Sequence, residues 1–337
     1  MVAFSDWVQE WMPIIDRWVK NVGEEGSKMK EILHDISGAC RWKRVESINK
    51  GWSDDKKYHI VTDAGIQLLL RVSDISKYKI RNKDYETLKQ LDEVDVLISR
   101  PIDFGVCNNG KNVYILLTWI EGVDLEEVLY SLSNKEQYNL GVKTGEALRK
   151  LHSIPAPENH ILWAKRFNRK IDRNINKYQA CGIKITGADK IMEHIEKNRY
   201  LLDNRPQTFQ HGDYHIGNMI ITKDGELGII DFDRLDYGDP WEEFNRIFWC
   251  ANVSSAFATG RINGYFENNV PEIFFRLMGL YIASNLLSSV PWAIPFGQEQ
   301  VDIMCNQARD VLEWYDQFQT VVPNWYLPYG TIVRKQG

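Results

Sequence analysis

Residues 209–233 read Phe209-Gln210-His211-Gly212-Asp213-Tyr214-His215-Ile216-Gly217-Asn218-Met219-Ile220-Ile221-Thr222-Lys223-Asp224-Gly225-Glu226-Leu227-Gly228-Ile229-Ile230-Asp231-Phe232-Asp233. Two short apolar runs, Met219–Ile221 and residues 227–230, flank a Lys223-Asp224-Gly225 turn, which is the pattern of a tight β-hairpin. Asp213 and Asn218 precede the first strand, and Asp231 and Asp233 follow the second. A hairpin returns its two ends to one place, so an Asn and at least two carboxylates are expected to converge there. Hard oxygens gathered in this way suit Mg²⁺, which keeps several waters and takes substrate phosphates as further ligands.

Asp213 stands five residues before Asn218. That is the Asp-x-x-x-x-Asn step of a kinase catalytic loop, and an Asp–Phe pair, Asp231-Phe232, follows the hairpin. His211-Gly212-Asp213-Tyr214-His215-Ile216-Gly217-Asn218 together with Ile230-Asp231-Phe232-Asp233 resembles the aminoglycoside phosphotransferase family, whose fold is that of the protein kinases. The resemblance covers most of residues 44–320. It implies an α+β, protein-kinase-like bilobal fold. A small nucleotide-binding lobe with a five-stranded antiparallel sheet and a helix would occupy residues 1–120, including N-terminal helices in 4–38. A large, mainly helical lobe for catalysis and substrate binding would occupy 121–337.

A chain of 337 residues is long enough for two lobes, and a hydrophobic share of 44% supplies their cores. The net charge of −5 argues against non-specific nucleic-acid binding and is compatible with a cationic substrate. Cys40, Cys107, Cys181, Cys250 and Cys305 are scattered without a C-x-x-C step, so they read as reduced thiols. The N-terminus lacks a basic region followed by an apolar core, and no apolar run reaches membrane-spanning length. A cytoplasmic protein with no membrane, nucleic-acid or evident protein partner is expected.

Trp7, Trp11, Ile14 and Trp18 repeat at helical spacing, and residues 25–38 form a second expected helix. Strands are expected at 45–49, 58–62 and 67–72. In the resemblance the loop between the first two covers the nucleotide. Gly51 would allow close backbone approach and Ser53 would donate to a phosphate. Arg71 takes the place of the phosphate-pairing lysine. In the next helix Ile80, Asp84, Leu88 and Leu91 follow intervals of four, four and three, one continuous face. Asp84 is therefore preferred over Glu86 as the partner of Arg71. A second hairpin, 101–106 and 113–120, completes the sheet. It contains Asp103-Phe104-Gly105, which precedes the catalytic loop and so is not the metal site. Thr118 and Ile120 fall in the hinge that binds the purine edge through backbone groups. Helices are expected at 124–133, 135–153, 164–179 and 187–203, and His152 reads as structural. Asp239, Pro240 and Glu242 fit the N-cap, first position and reciprocal acid of a capping box.

The resemblance implies roles. Asp213 orients and deprotonates the acceptor hydroxyl, Asn218 and Asp231 hold Mg²⁺, Arg71 pairs with a phosphate of ATP or GTP, and His211 braces the loop. An aminoglycoside acceptor is a polycation and needs carboxylates, for which Asp233, Asp236, Glu242 and Glu243 are candidates. Kinases of macrolides, choline, homoserine, methylthioribose and fructosamine share this fold and loop, so the chemistry is better supported than the acceptor. The alternative outside enzymes is a non-catalytic nucleotide-binding module; intact Asp213, Asn218 and Asp231 stand against it. The short step from Asp231 to the helix start at Gly238-Asp239-Pro240 leaves no room for a protein kinase's activation loop.

Overall fold

The computed structural model describes residues 35–49 and 54–327. The expected helix through Trp7 and Trp18, most of the expected helix 25–38, and the loop residues Gly51 and Ser53 lie outside the described residues. Residues 35–38 are turn, not helix. The chain divides into two units. One comprises Met1–Leu125 and Met219–Asp231; the other comprises Glu126–Asn218 and Phe232–Gly337. The hairpin thus belongs to the first unit, an arrangement that a single cut after residue 120 does not describe.

The first unit is built on strands β1 (Trp42–Ile48), β2 (Lys56–Thr62) and β3 (Gln67–Asp74), helix α1 (Tyr78–Lys89), strands β4 (Leu97–Ile98), β5 (Pro101–Cys107), β6 (Asn112–Thr118) and β7 (Val123–Asp124). Five of them form an antiparallel sheet in the order β1-β2-β3-β6-β5. Its core follows from the period of two along each strand. Tyr58 and Ile60, then Leu68, Leu70 and Val72, then Tyr114 and Leu116 turn to one face and pack into one cluster with Trp42 and Val45. The alternate residues turn to the other face, and there Lys57 stands directly opposite Arg71. Asp84 and Leu88 on α1, and Leu91 in the turn just past its end, are buried as the stripe predicts, whereas Ile80 is exposed. The expected inward face is therefore shorter by one turn. The hairpin closes with Met219 opposite Ile229. Its strands Met219–Ile221 and Leu227–Ile229 lie between β7 and β4 in a second, four-stranded sheet.

In the second unit, α2 (Leu125–Leu129, whose first residue closes the other unit) leads to α3 (Asn134–Leu151), opened by a Ser133/Glu136 capping box. Then come α4 (Trp163–Ala180), α5 (Ala188–Asn198), α6 (Ile247–Val253), α7 (Ser255–Tyr265), α8 (Glu272–Ala293) and α9 (Gln298–Trp314). Helices α3 and α7 lie backbone to backbone. A Cβ at Gly141 or Gly145 would run into the carbonyls of Phe257 or Arg261, so only glycine permits that approach. The stretch Glu272–Phe296 does have the length and hydropathy of a membrane-crossing helix, against the sequence reading; 72% of its apolar window is buried inside the protein, the setting of a core helix. The expected capping box after Asp239 forms only in part. The Asp239 side chain accepts from Trp241 N at 3.0 Å and Pro240 takes the first position, but the segment Pro240–Arg246 is a 3₁₀ helix. Asp239 is wholly buried and is also clasped by Arg205, at 2.6 and 3.0 Å, while Glu242 turns instead to Lys170.

Candidate active site

The loop carrying Asp213 is fixed from behind. Strand Thr208–Gln210 pairs with Asp236–Gly238, and the chain then turns at Gly212, where φ is +79°. A Cβ there would collide with the Arg234 carbonyl oxygen, so the turn requires glycine on two counts. The carboxylate of Glu243, 2% exposed, accepts the backbone N–H of His211 at 2.7 Å and that of Gly212 at 2.9 Å. Burial alone would raise its pKa; donors from His152, His211 and Gly212 outweigh that and hold it below the usual range. His211 is wholly buried, and its Nδ1 accepts the Asp213 N–H at 3.2 Å. It braces the loop, as the resemblance implies. His152 bonds Tyr265 through Nδ1 at 2.9 Å, a structural role.

These contacts deliver the Asp213 carboxylate to a cluster of nitrogen donors. Arg246 Nη1 forms an ion pair with Oδ1, His215 Nε2 lies 3.4 Å from Oδ1, and Arg234 Nε lies 3.7 Å from Oδ2. Arg246 ends the 3₁₀ segment, and burial pushes its guanidinium down to about 10, which leaves it charged at neutral pH. Sequence reading missed it because it lies 33 residues from Asp213 and no spacing rule joins them. Asn218 donates its Nδ2 to the Asp213 backbone carbonyl at 2.9 Å, which fixes the amide and directs its Oδ1 away from that contact.

In the first unit Asp231 sits at φ +64°, a conformation that costs a non-glycine residue energy and marks a held position. Lys57 Nζ lies 3.2 Å from both of its carboxylate oxygens, and Arg71 Nη1 lies 3.9 Å away. Lys57 and Arg71 share a face because their strands pair them, and the anion between them offsets their repulsion. The expected Arg71–Asp84 pair is not formed. Arg71 instead donates to Asp55 at 3.0 Å, and Asp84 takes Arg81 at 2.8 Å. Asp55 has a fully buried carboxylate that also accepts Lys77 at 3.1 Å and Arg81 at 2.5 Å. Its desolvation is outweighed by Ser73 and these cations, so its pKa is lowered. Burial raises that of Asp84 despite Arg81. Glu86 faces outward and pairs with Lys89, as helix geometry predicts. Of the two residues expected in the hinge, Thr118 exchanges backbone and hydroxyl hydrogen bonds with Arg100, and Ile120 is buried.

A cavity of about 660 Å³ opens in the second unit beside the Asp213 loop, lined in part by Gln210, Gly212 and Arg246. Two of the four acids expected to bind substrate line it. Asp236 is held by Arg166 at 2.9 and 3.0 Å, and Glu242 by Lys170 at 2.8 Å. Glu243 is committed to the loop, and Asp233 is half-buried outside this lining. Among the described residues no group of three His, Cys, Asp or Glu side chains is placed to hold a metal ion. The Asn218 amide oxygen and the Asp231 carboxylate, one in each unit, are oxygens of the hard type that Mg²⁺ takes.

Several solved structures share this fold. The gentamicin complex of APH(2")-IIa aligns with a TM-score of 0.60 at 18% identity, covering 86% of this chain and 97% of that one. APH(4)-Ia in ternary complex with ADP and hygromycin B gives 0.60 at 15%, covering 80% and 92%. A choline/ethanolamine kinase family protein from Mesorhizobium loti gives 0.64 at 14%, covering 88% and 97%. No curated protein matches the chain in sequence. Residues 44–274, which include the braced Asp213 loop, the hairpin and Arg246, match the phosphotransferase enzyme family, APH, and the chain belongs to that family.

Proposed function

We propose that this chain is a small-molecule kinase that moves the γ-phosphoryl group of ATP or GTP to a hydroxyl group. The observation that carries the reading is the Asp213 loop. The loop that carries the Asp213 carboxylate is held by a buried brace beside a cavity large enough for a small acceptor. Phosphoryl transfer asks the protein for positioning and charge stabilisation more than covalent help. The acceptor oxygen forms a bond to the γ-phosphorus, its proton passes to Asp213, and the bond to the β-phosphate breaks with its electrons leaving on the nucleoside diphosphate. Asn218 and Asp231 would hold Mg²⁺, which neutralises phosphate charge when bound. Lys57 and Arg71, opposite one another on β2 and β3, would pair with phosphate oxygens. The free thiols fit a reducing, cytoplasmic setting.

An aminoglycoside is the acceptor named in several related structures, and its recognition here would fall to Asp236 and Glu242. A metabolic hydroxyl compound is the second reading, favoured by the cations that already occupy both acids. The test is nucleotide turnover with Mg²⁺ and ATP or GTP against aminoglycosides, macrolides and metabolic alcohols, with Asp213→Ala beside it. Acceptor-dependent turnover lost in the variant supports the reading. Nucleotide binding without turnover on any acceptor counts for a binding module. Asp231→Ala should weaken Mg²⁺-dependent nucleotide affinity; unchanged affinity removes Asp231 from the metal site.

A further inference from the structure

The cavity beside Asp213 is strongly basic. Helix α4 presents Arg166, Arg169, Lys170 and Arg173 to it, at successive steps of three, one and three residues that keep them on one helical face. Arg234 and Arg246 add charge beside the catalytic loop. Only two acids lie in the lining with these six cations, and Asp213 beside it takes Arg246 and Arg234. Asp236 is engaged by both arms of its contact with Arg166, and Glu242 by Lys170. Burial pushes the Glu242 carboxyl up, against the pull of Lys170. Arg169 and Arg173 make no ion pair among the described residues, and both are exposed, so no ion pair has to break before they meet a ligand.

A polycation would enter against this surplus and would have to displace two formed ion pairs to find a carboxylate. An anion meets Arg169 and Arg173 without displacing anything. Resting on the phosphotransferase reading, we infer that the acceptor is a hydroxyl compound carrying a carboxylate or a phosphate group, its anionic end at Arg169 and Arg173 and a hydroxyl at Asp213. Guanidinium groups suit either anion through paired N–H donors. The transfer itself is unchanged: the acceptor's oxygen takes the phosphoryl group, and Asp213 takes its proton.

Calorimetric binding to the full chain tests this with four probes: gluconate, glucose 6-phosphate and sorbitol, which share a six-carbon polyol frame, and the larger polycation gentamicin. Each is titrated in the presence of Mg²⁺ and a non-hydrolysable ATP analogue. Gluconate and glucose 6-phosphate separate the carboxylate source from the phosphate source. At least one of them should bind roughly tenfold or more tightly than sorbitol, and gentamicin should bind weakly. The Arg169→Glu/Arg173→Glu protein changes only exposed side chains and should fold normally. It should lose that preference for the anion by roughly tenfold while nucleotide affinity stays within about twofold. If neither anion outbinds sorbitol, if gentamicin binds best, or if the double variant keeps the anion preference, the inference is overturned. The nucleotide titration is read separately: a chain that binds no nucleotide overturns the phosphotransferase reading itself.

Discussion

Glu243 gives the sharpest test of how the catalytic loop is held. Replacing it with Ala removes the acceptor of two buried N–H groups, those of His211 and Gly212. A buried donor left without a partner costs about 1–3 kcal/mol, so Glu243→Ala should lose about 4 kcal/mol of stability in the second unit. Glu243→Gln keeps the shape and one acceptor oxygen, but turns an amide NH₂ toward the second N–H, and should lose about 2 kcal/mol. The pH dependence has a definite sign. The pKa of Glu243 is lowered by folding, so its contribution is complete above the unfolded value of about 4.3 and fades as pH falls through the lower folded value. The gap between the parent and Glu243→Gln should therefore be flat from about pH 6 to 8 and close only below about pH 4. Urea unfolding followed by tryptophan fluorescence measures both. A loosened loop misplaces Asp213, so turnover should fall roughly tenfold or more in Glu243→Ala while nucleotide KM stays within about twofold. An Ala variant within about 0.5 kcal/mol of the parent at pH 7 would refute the brace, as would a gap that closes on the alkaline side.

Other consequences are as direct. Asp213→Asn should cut turnover by about 10²–10⁴-fold with nucleotide affinity little changed; near-normal turnover in a folded variant removes its role as base. Asp55→Asn weakens the pairing of three cations, Arg71, Lys77 and Arg81, and should destabilise the first unit by about 3–5 kcal/mol and raise nucleotide KM. Asp84→Asn loosens only Arg81 and should cost less; equal losses in chemical denaturation would put Arg71 back in the hands of Asp84.

Local pattern carried the parts of this fold that depend on local rules. Alternation along β2, β3 and β6 gave the sheet and its apolar face, and the Lys223-Asp224-Gly225 turn gave a hairpin whose ends pair as expected. Helical geometry placed Asp84 inward and Glu86 outward. It could not choose the partner of Arg71, because that choice depends on which carboxylate arrives across the strands. Asp55 arrives through the turn that precedes β2, one residue before Lys56 meets Val72. Arg246 escaped for the same reason, since its meeting with Asp213 needs the strand pairing of Gln210 with Asp236 and the turn at Pro240. The exposure of Ile80 shows the limit of periodicity itself: a stripe predicts a direction, and only packing decides how far along the helix there is something to pack against.

Five of the acids picked out from the sequence share one fate that composition hides. A net charge of −5 suggests carboxylates to spare. Yet Asp213 meets Arg246, Asp231 meets Lys57, Asp236 meets Arg166, Glu242 meets Lys170 and Asp84 meets Arg81. Taking any of these acids for a cationic ligand means breaking an ion pair, and in the partly buried cases leaving a guanidinium or ammonium poorly solvated. An anionic ligand faces the opposite situation, because it can join Lys57 and Arg71, or Arg169 and Arg173, without stranding a charge. If the acceptor is anionic, as inferred above, the overall sign of the chain is a poor guide to the partner of its cavity. What decides recognition is which charges remain after the protein has paired its own, and in the second unit's cavity those are arginines.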